Sequence, residues 1–289
     1  WEGFLRAYTL SANGEKDDLL WEASENIPAF DNRVILTSVD NGSGFEGIPF
    51  RGSKLANFLD SLLSPLGVSL SADIVSYIRG NQAFEKSNGG TFRNRYDNIL
   101  GDIVQSTPTY VGSPDRVRYP VTWTDKHLGN DAANFPENAR SAPPYSSPGN
   151  NSSFADKFAS RTPMVYVGAN DGMLHGFDAD TGVERLAYIP GTLLDDVADL
   201  SEPGYEHRFY VDGSPVTGDA FFGGKWHTVL VSGLNNGGNA VFALDITDPG
   251  AFSEANAEDT VLWEYTADGE LGQTYGKPAI VRLHNGEWA

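Results

Sequence analysis

The stretch from Arg161 to Pro190, RTPMVYVGANDGMLHGFDADTGVERLAYIP, restricts the fold of this chain more tightly than any other. Residues 164–167 form a short apolar and aromatic run that suits a half-buried strand, and Asn170–Asp171–Gly172 follows with residues that tolerate positive φ. Residues 173–177 return as a second strand. Asp178–Ala179–Asp180–Thr181–Gly182 then turns the chain into a third strand over 185–189. Strand, Asp-Gly turn, strand, Asp-x-x-Thr-Gly turn, strand is the pattern of a propeller blade.

Composition agrees with many short strands and tight turns. Glycine takes 32 of the 289 residues, above the ~7% usual in proteins, and aromatic residues make up 12%. A net charge of −19 and a pI near 4.5 repel phosphate, which argues against nucleic acid or anionic lipid as a main partner. Divalent cations, or basic patches on other proteins, fit that field better. The chain has no cysteine, so disulfides, thiolate metal sites and cysteine nucleophiles are all excluded. No apolar run approaches the ~18 residues of a membrane span. The chain opens at Trp1 directly in a strand-like stretch, as a segment of a longer protein would, so the lack of a signal peptide carries no weight.

Taken in order, residues 1–10 alternate, Asn13–Gly14 turns, and Leu19–Leu20–Trp21 returns as a hairpin partner. Residues 33–38 (RVILTS) read as a strand closed by Asp40–Asn41–Gly42, after which 47–50 lead out of the sheet. Over 53–95 the period changes to that of helices. Leu55, Phe58, Leu59, Leu62 and Leu63 lie at helical spacing, and Ser71 is placed to cap a second helix carrying Ile74, Val75, Tyr77 and Ile78. Arg79, Arg93 and Arg95 in this insertion are expected to pair with acids of neighbouring blades. Strand signals resume at 101–104 and 109–112, and residues 126–156 form a long rim loop rich in Asn, Ser, Pro and Gly.

After an irregular link at 193–205, residues 214–222, 226–233, 240–245 and 261–265 spell a four-stranded blade with a Gly223–Gly224 hairpin turn. A further hairpin begins at 276–288. TPTYVG at Thr107, TPMVYVG at Thr162, SPVTGDAFF at Ser214 and KPAIVRL at Lys277 each set proline just ahead of a strand, where it removes no ladder donor. The repeat interval, roughly 50 to 65 residues, exceeds the ~40–50 of compact propeller repeats, so rim insertions are implied.

Oxygen-rich turns are the first candidates for chemistry. Asp178 and Asp180 open like a calcium loop, but Gly182 and Val183 stand where a third ligand and the sharp-turn glycine belong. The turn is therefore read as an Asp-capped blade turn, with Asp178 and Asp180 as weak metal candidates. Asp245–Ile246–Thr247–Asp248 is read in the same way. The five histidines, His127, His175, His207, His227 and His284, show no metal-ligand spacing and read as packing or surface residues. No catalytic motif occurs, and no pair of carboxylates is singled out for glycoside hydrolysis.

Several runs together resemble the C-terminal propeller of the PilY/PilC-type type IV pilus tip-associated adhesins. PMVYVGANDGMLHGFDADTG at 163–182 is one. Others are LGDIVQSTP at 100–108, YIRGN at 77–81, VDGSP at 211–215 and GLNNGGNAVFALDITDP at 233–249, all in the family's order. The resemblance implies a modified seven-bladed β-propeller filling 1–289 as a single, C-terminally incomplete all-β domain. It implies a module of pilus biogenesis and tip adhesion that supports extension against retraction, contacts minor pilins and host-cell or abiotic surfaces, and contributes to twitching motility and virulence. Such a protein is exported through the periplasm of a Gram-negative bacterium to the cell surface. The family's calcium loop is expected beyond Ala289, so calcium is a cofactor of the parent domain and no residue of this chain inherits its binding. No catalytic residue is implied. The alternative is a quinoprotein (PQQ) dehydrogenase-like propeller, whose blades carry a similar Asp-x-x-Thr-Gly turn followed by a docking Trp. Here Arg185–Leu186 occupies that place.

Overall fold

Proline-led apolar runs become strands at three of the four predicted places in the computed structural model, which describes residues 1–42, 44–56, 70–96, 98–119, 135–139, 142–147, 152–266 and 270–289. Pro108, Pro163 and Pro215 directly precede β5 (Thr109–Val111), β6 (Met164–Gly168) and β9 (Val216–Phe222). Pro278 does not, because 276–289 holds only an isolated antiparallel bridge between Arg282 and Trp288. The amide of Val281 and the carbonyl of Ala289 close that turn at 2.7 Å.

The opening alternation forms a two-stranded hairpin, β1 (Arg6–Leu10) with β2 (Lys16–Glu22). The blade read from 161–190 is present as β5, β6, β7 (Leu174–Asp178) and β8 (Glu184–Ile189), each antiparallel to the next. It is larger than predicted. β3 (Ile35–Asp40) adds to β8 in parallel and brings β4 (Phe45–Pro49) with it, giving the order β4-β3-β8-β7-β6-β5. Residues 47–50 thus do not lead out of the sheet, because Pro49 faces Leu36 across the ladder. A proline is tolerated there because β4 is the edge strand.

The second blade, β9, β10 (Lys225–Gly233), β11 (Ala240–Asp245) and β12 (Val261–Thr266), is an antiparallel meander in the order read from sequence. Gly223 and Gly224, at φ 58° and 79°, make its tight β9–β10 turn, a conformation that needs two residues tolerant of positive φ.

Apolar faces of the two sheets share the main core, where the rings of Tyr188 and Phe242 lie 5.0 Å apart. Glu264 of β12 crosses the same seam. Its buried carboxylate accepts from Ser38 Oγ at 2.7 Å and from the amides of Gly191 and Thr192 at 2.8 Å, with the Tyr188 hydroxyl at 2.9 Å. A buried carboxylate with this many donors is compensated for its lost hydration.

The predicted strand at 101–104 forms no ladder. Its backbone is laced to both blades instead: Gly101 N–H to Asp171 Oδ2 (2.8 Å), Asn170 N–H to the Asp102 carbonyl (3.0 Å) and Gln105 N–H to Asp212 Oδ1 (3.0 Å). In the 53–95 insertion, α1 (Ala72–Ile78) starts at Ser71, whose Oγ accepts from the Ile74 amide at 3.2 Å. The preceding predicted helix falls mainly on 57–69, outside the described residues. Much of the 126–156 loop also lies outside them, while α2 (Phe154–Lys157) is capped by Ser153.

The three arginines of the insertion bind carbonyls as well as acids. Arg79 pairs with Glu254, which lies between β11 and β12 of the second blade, at 3.2 Å as expected, and also donates to the carbonyls of Phe30, Arg33 and Phe50. Arg93 donates to that of Leu200, while Arg95 pairs with Glu85 of its own insertion and reaches the Tyr77 and Asn81 carbonyls. Among the described residues no helix is long and apolar enough to cross a membrane.

Candidate binding cleft

The acidic turn at Asp178–Gly182 is occupied by its own backbone. Asp178 Oδ1 accepts from the Asp180 and Thr181 amides at 3.1 and 3.2 Å, and Oδ2 meets Arg185 Nη2 at 2.9 Å. Burial works against that charge, but Arg185 and the amides hold the Asp178 carboxyl below the usual carboxylate range. Asp180 is exposed beside it. The turn also receives a tryptophan from far away in sequence: Trp21 of β2 donates Nε1–H to the Ala179 carbonyl at 2.9 Å. A Cβ on Gly182, at φ +73°, would lie 2.8 Å from that indole, so the Thr-Gly step is where the β1–β2 hairpin is seated.

His175 stands in a closed ionic network. Its Nδ1 lies 2.8 Å from Glu184 Oε1 and its Nε2 3.1 Å from both oxygens of Asp171. Arg33 grips Glu184 with Nε at 2.6 Å and Nη2 at 2.8 Å. Burial opposes each charge, yet Asp171 and Glu184 raise His175 to about 9, and Arg33 with His175 lowers Glu184 to about 2. Two cations and two carboxylates balance, with Arg33, His175 and Glu184 buried and only Asp171 partly exposed, so the network reads as a support of the fold. His207 pairs with Asp102 at 2.8 Å under the Trp1 ring. His127 lies outside the described residues, and His284 sits in the turn between Leu283 and Glu287.

His227 differs. It lies on β10, stacked on Phe222 at 3.9 Å, and lines a cleft of about 430 Å³ between the second blade, α2 and α3 (Ala257–Thr260). Its Nδ1 is 2.6 Å from Asp245 Oδ2. His227 and then Thr247 hold the Asp245 carboxyl below its usual range against burial, so an ionised acceptor faces Nδ1 and Nδ1 must carry the proton. Thr247 reinforces this through its amide (2.9 Å) and hydroxyl (2.5 Å), both on Asp245 Oδ1. The opposite ring atom, Nε2, is buried and has no hydrogen-bond partner among the described residues.

The turn chemistry of Asp245 and Thr247 is as read from sequence. The histidine was missed, because it sits 18 positions away and meets Asp245 only through the β10–β11 register. Among the described residues no group of three or more His, Asp or Glu side chains could hold a metal ion.

Comparison with known proteins places this architecture. The family model described as the PilY1 beta-propeller domain matches residues 137–289. The type IV pilus biogenesis factor PilY1 of Pseudomonas aeruginosa strain PAK is 38% identical over 305 aligned residues, covering 100% of this chain and 23% of that protein. A PilY1 homolog of Xylella fastidiosa strain Temecula1 is 35% identical over 321, covering 100% of this chain and 20% of that protein. The chain thus spans less than a quarter of the length of these curated relatives. A crystal structure of the P. aeruginosa PilY1 C-terminal domain shares 50% identity over 47% of this chain and 25% of that one, with a TM-score of 0.37. With more than half of its length under one family model, the chain belongs to the PilY1 β-propeller domain family.

Proposed function

We propose that this domain serves type IV pilus biogenesis as a non-catalytic binding platform at the cell surface of a Gram-negative bacterium. The observation that carries the reading is similarity along the whole chain to proteins named type IV pilus biogenesis factors. Blade turns held by their own side chains and a −19 surface suit a rigid, acidic scaffold that meets basic surfaces of other proteins. Within the same proposal, on the strength of the family resemblance, the partners are minor pilins and the pilus tip. Attachment to host cells or abiotic surfaces, closure into seven blades and control by calcium held outside this chain belong to it as well.

The test is deletion of the gene in a pilated host. Loss of surface pili and of attachment, restored by the intact gene but not by one lacking the codons for this domain, is the expected result. Normal piliation and attachment in the deletant would overturn the reading.

A further inference from the structure

We draw no further inference here: the strongest candidate, the face of the second blade on which Trp263 and Tyr265 of β12 are exposed, is an unpartnered apolar sheet face, and nothing in the structure shows what covers it.

Discussion

His175 and His227 occupy inner strands of two neighbouring blades, and both rings face carboxylates, yet the two rings are held differently. His175 has a carboxylate at each nitrogen, is completely buried and is raised to about 9, so it is a fixed cation in an ion network. His227 has a carboxylate at Nδ1 only, and its buried Nε2 has no hydrogen-bond partner among the described residues. Arg33 accounts for much of the difference, because its charge lets a second carboxylate, Glu184, stay ionised beside His175. The two histidines thus differ in how many of their ring nitrogens are held, two in His175 and one in His227.

The most direct way to break the comparison is to open the closed network. Glu184→Gln removes the carboxylate shared by Arg33 and His175 and leaves buried positive charge uncompensated, which costs about 3–5 kcal/mol. Urea unfolding should show the midpoint falling with an unchanged slope. A loss under about 1 kcal/mol, the worth of an exposed pair, would show that the network does not hold the blade.

A smaller effect is the pH dependence of that difference. His175 is raised from 6.5 to about 9 in the fold, so its contribution is complete below about 6.5 and is lost as pH rises through about 9. Glu184 is lowered from 4.5 to about 2, so its contribution is complete above about 4.5 and is lost as pH falls through about 2. The stability gap between the native chain and Glu184→Gln should accordingly be widest between about pH 4.5 and 6.5 and narrow on either side. A gap that stays constant from acid to alkali would mean that neither group is charged as the geometry requires.

The two regions were unequally legible in the amino-acid sequence. All four strands of the second blade could be read locally, since each is an apolar run bounded by Gly, Asn or Asp, and their pairing follows chain order. The first blade hides β4, because Gly47 and Pro49 look like breakers until the strand is known to be an edge. It also hides the parallel pairing of Ile35–Leu36–Thr37 with Ala187–Tyr188–Ile189, which no local pattern encodes. The Asp178–Gly182 turn has Arg185–Leu186 and no tryptophan next to it in sequence, whereas Trp21 reaches it from the N-terminal hairpin. The site shows the same limit. Asp245 and Thr247 are neighbours whose turn chemistry is local, while His227 reaches them across a strand pair.

The smallest expected effect tests the open histidine itself. In His227→Phe a ring of similar shape keeps the stack on Phe222 while the Nδ1–H bond to Asp245 is lost. Asp245 would not be stranded. Its Oδ1 retains the Thr247 amide and hydroxyl, and 17% of its side chain is exposed, so water can replace the imidazole at Oδ2. The substitution also removes Nε2, a buried polar atom with no partner among the described residues, whose desolvation opposes folding. Loss and gain should cancel to within about 1 kcal/mol in urea unfolding. A destabilisation approaching the ~3–5 kcal/mol expected for the broken network would instead make His227 a second structural support, and the distinction between closed and open histidines would fail.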